Sequence, residues 1–184
     1  MVLDTPRLRL RCWRETDRDA LAAMHADAEV MADYGRTFTR PESDARLDRY
    51  AASFQRCGLG RWAVETLSGD FLGYVGIMPS RPEHPLEPHM EIGWRLVRHA
   101  WGYGFATEAA QAALVDAFER VRLNEVLAYT GPNNVRSQAV MARLRLERDP
   151  QRDFTAHLDG IDYPSLVWVA RRATTRSASP VSGG

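Results

Sequence analysis

The chain has 184 residues and is 45% hydrophobic, enough for one domain with a sizeable core. Its 24 basic residues, every one an arginine, balance 24 acidic ones, so the formal net charge is zero and a dominant nucleic-acid footprint is excluded. Two cysteines, Cys12 and Cys57, give neither a disulfide framework nor metal-ligand spacing. No apolar run approaches the roughly 20 residues that span a bilayer, and no basic segment leads into an apolar one, so the expectation is a cytoplasmic protein in a reducing compartment, with no membrane partner.

In chain order, a strand is expected near residues 7–13, a helix over about 17–28 and a second helix over about 42–57. Strands at 62–67 and 71–78 flank the short turn Ser68-Gly69-Asp70 and make a hairpin. A proline-rich loop at 79–88 follows, which cannot continue a central strand. Residues 90–97 have strand composition, and Ala106, Ala109, Ala110, Ala113, Leu114, Ala117 and Phe118 then recur at helical spacing. A further strand at 125–130 meets a turn at 131–134 and another helix start. Residues 149–157 and 163–170 read as the last two strands, with Asp159-Gly160 at their turn. No repeat or linker interrupts this pattern: residues 1–172 read as a single α/β domain, and 173–184, small and polar, as a disordered tail.

The most informative stretch is His99 to Ala109, where a small-residue turn runs from a strand directly into a helix. A helix start leaves about four backbone N–H groups without partners and carries roughly half a positive charge, so it suits an anion such as a phosphate. Gly102, Gly104 and Ala106 alternate with Trp101, Tyr103 and Phe105, so one side can approach a ligand while the bulky side packs. Taken alone, the same glycines also serve a plain strand-to-helix turn.

Taken with its neighbours, the stretch resembles the acetyl-CoA-dependent GNAT N-acyltransferases, and among them the ribosomal-protein-alanine/serine acetyltransferase (RimJ/RimL-like) branch. The resemblance rests on Thr5-Pro6-Arg7-Leu8-Arg9-Leu10, on Glu91-Ile92-Gly93-Trp94-Arg95-Leu96, on Trp101 to Ala109, and on Asn134-Val135-Arg136-Ser137. It implies the acyl-CoA N-acyltransferase fold, a mixed, mostly antiparallel sheet flanked by helices, in which the Glu91 strand and the 126–130 strand run parallel and splay apart to admit pantetheine. It also implies acetyl-CoA as co-substrate, no metal, and a primary amine as acceptor, either a peptide N-terminus or a small molecule. Nucleic acid is not expected as a direct partner, and a homodimer is left open.

On this resemblance, Ile92, Gly93 and Trp94 offer backbone contacts to pantetheine, while Trp101, Gly102, Tyr103, Gly104, Phe105, Ala106 and Thr107 form the pyrophosphate cradle. Trp101 stands where the wider family has Gln or Arg, so cations come from elsewhere, and Arg98 and Arg136 are candidates because the arginine fork matches phosphate oxygens. Asn134 suits a polar contact to the pantetheine arm. Glu91 is the candidate base, acting through water or holding the substrate cation, since a carboxylate alone is weak beside an alkylammonium. His89, two residues away on the same strand face, is the second candidate. The tyrosine acid of many relatives is missing, because its position holds Met141. Ser137 is the remaining candidate acid, with positioning of the sulfur or helix capping as its plainer roles.

Arg145 occupies a position where the family has glycine, which questions the turn there. Tyr34, Phe38, Trp62, Tyr74 and His84 are candidates to line the acceptor pocket, with core packing as the alternative for each, and Asp33 or Glu65 could receive a cationic amine. A non-catalytic acyl-CoA-binding or sensing module is the alternative function, favoured by the missing tyrosine.

Overall fold

The computed structural model describes residues 1–158 and 161–172; the Asp159-Gly160 turn and the expected tail at 173–184 lie outside the described residues. Short strands β1 (Val2–Asp4) and β2 (Leu8–Arg11) lead into helices α1 (Arg18–Ala26) and α2 (Arg40–Cys57). Strands β3 (Arg61–Thr66), β4 (Phe71–Pro79) and β5 (Met90–Leu96) follow as a meander. Then come α3 (Phe105–Glu119), β6 (Glu125–Thr130), α4 (Val135–Arg143), β7 (Glu147–Arg148), β8 (Phe154–Leu158) and β9 (Ile161–Arg171). The sheet order is β1-β2-β3-β4-β5-β6-β9-β7, with β8 also on β9. Every pairing is antiparallel except β5 with β6.

Alternation along the central strands builds two cores, one on each face. On one face, Ile92 and Leu96 of β5 join Leu8, Leu10, Trp62, Val64, Val75 and Ile77 beneath the alanine stripe of α3 and Val140 and Met141 of α4. On the other, Tyr74 and Met78 of β4 pack against Leu21 and Met24 of α1 and Leu47 and Tyr50 of α2. Small Ala109, Ala110, Ala113 and Ala117 are buried, which lets α3 lie close to the sheet. The second face carries the polar groups of the site, because odd-numbered Glu91 and Arg95 point there.

The β5 and β6 ladder is the feature that matters for function. Along β4, β5 is paired from Met90 to Leu96, yet against β6 a single pair remains, Glu91 with Leu127. Both strands continue toward their C-terminal ends without further pairing, so a V-shaped gap opens there. This bears out the splay implied by the family resemblance.

Other boundaries differ for identifiable reasons. Helix α2 begins at Arg40 rather than 42, since Thr39 and Glu42 form a reciprocal capping box and Pro41 sits in the first turn. The strand expected from 149 is interrupted: Pro150 starts a short 3-10 turn to Arg152, and strand pairing resumes at Phe154. Pro79 is the last residue of β4, and the proline-rich loop after it folds back so that Ser80 N–H donates to His89 O at 2.8 Å and Leu86 packs on Leu127, Val167 and Val169. Arg145 does enter the left-handed region, at φ 55°, and Leu146 N–H donates to Met141 O at 3.0 Å, so the helix closure usual with glycine is kept with an arginine.

Candidate active site

Beyond the C-terminal end of β5, where β5 and β6 are no longer paired, the chain turns into α3. Gly102 and Gly104 sit at φ 85° and 80°, conformations that residues with a Cβ resist, and nothing lies within 4 Å of where a Cβ on Gly102 would be. The α3 ladder begins with Glu108 N–H donating to Gly104 O at 3.0 Å, and no side chain caps the helix, so the N–H groups of Phe105, Ala106 and Thr107 are open. That is an anion cradle of backbone donors.

The expected alternation holds only in part. Trp101 packs into both cores and donates its indole N–H to Leu96 O at 2.9 Å, whereas Tyr103 is 64% exposed and stacks on Phe105. Arg98 and Arg136, far apart in sequence, converge: their guanidinium carbons lie 4.9 and 4.3 Å from the Trp101 ring, and both face Glu29, at 2.7 and 4.0 Å. Trp101 therefore does not leave the cradle without cations; it is the platform that holds two of them.

Sequence reasoning missed what fixes the cradle from behind. Thr5 Oγ1 donates to Glu108 Oε1 at 2.7 Å, Arg7 Nε to Glu108 Oε2 at 2.6 Å, and Arg7 Nη1 to Tyr103 O at 2.9 Å. The Thr5 to Arg7 stretch was legible as a family signature, and its partner Glu108, an acid in the first turn of an uncapped helix, was the available signal. These bonds hold Glu108 away from the open amides and keep its carboxyl below the usual range, against the opposing effect of its burial.

Across the gap, Asn134 caps α4. Its Oδ1 accepts the Ser137 N–H at 3.1 Å, so capping falls to Asn134 and not, as one reading of the sequence had it, to Ser137. The Ser137 hydroxyl stays half-buried in the first turn beside the gap.

At the neck, Glu91 is held by Arg61, whose Nη2 donates to Oε1 at 2.8 Å. Arg61 is buried, its guanidinium also donating to the carbonyls of Gly76, Glu91 and Gly93. A Cβ on Gly93 would come within 2.8 Å of the same guanidinium, so glycine there makes room for it. Beside Glu91, the folded-back loop delivers His84 against His89, their rings 4.7 Å apart and both against Tyr129. His89 Nδ1 lies 2.8 Å from Glu87 O and must donate to it, which leaves an electron pair on Nε2. His84 Nδ1 accepts from Leu86 N–H at 3.1 Å, which places its proton on Nε2. Burial, with His89 next in effect, holds His84 below its ordinary pKa, in keeping with this neutral form.

One ligand atom each from His84, His89 and Glu91 lies within 4.8 Å of the others, and both Nε2 atoms are buried without protein partners. The set has the residue types of a zinc site. The His84 tautomer opposes that reading, since a ligating histidine donates its second nitrogen outward, as His89 does and His84 does not. The cluster instead brings one donor, one acceptor and a carboxylate within 4.8 Å of one another beside Tyr129.

The acceptor-side candidates divide. Tyr34, Phe38 and Tyr74 lie on this face, and Arg95 bridges it, stacking on Tyr34 and binding Asp33 at 2.7 and 2.8 Å. Trp62 belongs to the α3-side core, 4.4 Å from Phe54, so it does not line an acceptor pocket. Neither proposed carboxylate is free for an amine: Asp33 is engaged by Arg95, and Glu65 is buried under Arg11, which also grips Asp17 in a bidentate pair.

Residues 7–147 match the family model described as an acetyltransferase (GNAT) domain. Among relatives, the N-acetyltransferase YnaD of Bacillus subtilis is 36% identical over 151 residues, covering 81% of this chain and 84% of that one. The crystal structure of an acetyltransferase from Agrobacterium tumefaciens superposes with a TM-score of 0.78 at 28% identity, over 93% of this chain and 94% of its own. RimL, the ribosomal L7/L12 α-N-protein acetyltransferase solved with coenzyme A, shares the fold at a TM-score of 0.74 and 15% identity, over 93% and 98% of the two chains. Cradle, splayed strands and sequence match agree: the chain belongs to the GNAT acetyltransferase family and is an acyltransferase.

Proposed function

We propose that this enzyme transfers the acetyl group of acetyl-CoA to a primary amine by direct attack on the thioester. The observation that carries the reading is that β5 and β6 pair only at Glu91, which Arg61 holds, and that β5 then leads into a turn of open amides at the start of α3. In this reading the pyrophosphate lies on Phe105, Ala106 and Thr107 N–H, with Arg98 and Arg136 alongside. The pantetheine arm runs past Asn134 along the unpaired edge of Ile92, Gly93 and Trp94. A strand N–H there polarises the thioester carbonyl, an effect worth about 3–4 kcal/mol per donor in other acyl-transfer sites.

The amine reaches the carbonyl carbon from the Glu91 side. Its N–H proton passes to the His89 Nε2 electron pair or, through water, to Glu91, as the C–N bond forms. The tetrahedral intermediate then collapses with loss of the CoA thiolate, which takes a proton from the Ser137 side of the gap. Glu91, pinned by Arg61, also offers a fixed negative charge to an incoming ammonium. The test is a panel of primary amines and peptide N-termini assayed for CoA thiol release and for product mass. Equimolar thiol and N-acetylated product are expected from at least one acceptor. Tight acetyl-CoA binding with no N-acetylated product from any of them would overturn the proposal in favour of a binding module.

A further inference from the structure

The acceptor side holds more positive charge than its carboxylates neutralise. Arg61 has Glu91 and Arg95 has Asp33, but Arg46 and Arg49, on the face of α2 turned to the sheet, have no carboxylate within 4.0 Å among the described residues. Both are half-buried against aromatic rings. The Arg46 guanidinium carbon lies 4.0 Å from the Phe38 ring centre and 5.4 Å from that of Tyr34, and Arg49 lies 5.3 Å from that of Tyr50.

The two are not remote from the neck. Arg49 stacks on the buried Tyr50, whose ring lies 5.1 Å from that of Tyr74, and Tyr74 pairs with Arg95 on the sheet face that also carries Arg61 and Glu91. Burial, reinforced by Arg81, Arg46 and Arg61, pushes the Arg49 guanidinium below its usual value, the direction expected of a cation crowded by cations. Half-burying the Arg49 cation among other cations costs desolvation and repulsion, and an anion bound between Arg46 and Arg49 would offset both.

We infer that Arg46 and Arg49 form an oxyanion subsite for the acceptor, so that the amine acetylated here belongs to a small molecule that also carries a carboxylate or a phosphate. Arg46 and Arg49 bind that oxyanion while Glu91 and His89 face the amine. This rests on the acetyl-transfer reading for the amine, but the subsite itself can be tested apart from it.

The experiment uses the full chain with matched acceptors: an amino acid against its amide, and an aminoalkyl phosphate against the corresponding amino alcohol. The expected result is a kcat/KM at least about 10-fold higher for one or both anionic members, the scale of a charge-assisted hydrogen bond. Arg46→Gln and Arg49→Gln should remove that preference while changing the neutral partners little, and Arg49→Lys should restore part of it. Whether carboxylate or phosphate shows the preference distinguishes the two sources. Equal rates within each pair, or equal losses on both members in the variants, overturn the subsite.

A second arm is independent of turnover. With CoA saturating, so that the cradle is filled, inorganic phosphate and acetate are titrated at constant ionic strength and the melting temperature is read. Stabilisation in the parent enzyme that is absent in the Arg46→Gln, Arg49→Gln double variant supports the subsite, and no stabilisation in the parent overturns it. If no amine is acetylated, the acetyl-transfer reading falls, and this titration still decides the subsite.

Discussion

His25 gives the sharpest prediction about stability. It lies fully buried on α1 beneath the acceptor face, its Nδ1 2.9 Å from Ser43 Oγ, with Nε2 unpartnered and the rings of Phe38 and Tyr74 at 5.2 and 6.2 Å. Burial, helped by the charges of Arg46 and Arg95, lowers its pKa from 6.5 to about 4. The unfolded chain therefore binds a proton on this histidine at a pH where the native protein does not, so native stability must fall as pH drops below about 6.5 and level off near 4. With those two values, linkage gives a loss of about 2 kcal/mol between pH 7 and pH 5, and about 3 kcal/mol in total. For a domain of this size, 2 kcal/mol corresponds to roughly 4–8 °C in melting temperature. The assay is urea unfolding of the parent and of His25→Gln at pH 7 and pH 5. The variant starts less stable but should lose about 2 kcal/mol less over that interval. Identical pH slopes in the two proteins would mean that His25 carries no such proton linkage.

Three further outcomes follow from particular contacts. Arg145→Gly relieves a left-handed arginine, a strain of about 1–2 kcal/mol, partly offset by the extra freedom of glycine in the unfolded chain. It should raise the melting temperature by about 2 °C, and a fall would mean that the Arg145 side chain contributes something the geometry does not show. Gly93→Ala puts a methyl 2.8 Å from the guanidinium that holds Glu91, so kcat should drop at least about 10-fold, and unchanged turnover would remove Arg61 from the positioning role. Arg7→Gln unties Tyr103 and Glu108 at the back of the cradle. Since Arg7 is half exposed, the Kd for CoA should rise only about fivefold by calorimetry, and an unaltered Kd would show that the turn holds its shape without that tie.

How much of this was legible in the sequence depends on the range of the interaction. Elements set by local patterning were readable: β6 falls at 125–130 as expected, and the alanine stripe of α3 faces the core. The turn into α3 was readable because a junction between a strand and a helix is a local motif. Charges that meet across the fold were not. Asp33 and Glu65 looked available for an amine until Arg95 and Arg11 arrived from other strands, and the pairing of Arg98 with Arg136 over Trp101 joins segments on either side of the gap. His84 was suspected only as a pocket wall, since its meeting with His89 requires the proline-rich loop to fold back, a closure fixed by Ser80 and by Leu86 on β6 and β9. For Trp62 the structure takes the alternative, core packing: alternation assigns a residue to a face, but only the packed sheet says which face holds the site.

In the proposed mechanism the gap between β5 and β6 delivers an acetyl thioester to an amine at Glu91. Its most direct test is single-turnover transfer from saturating acetyl-CoA by Glu91→Gln, with acetyl-CoA binding measured on the same sample. Binding should stay near-parental while N-acetylated product forms at least about 100-fold more slowly. Parental transfer rates in this variant would contradict it.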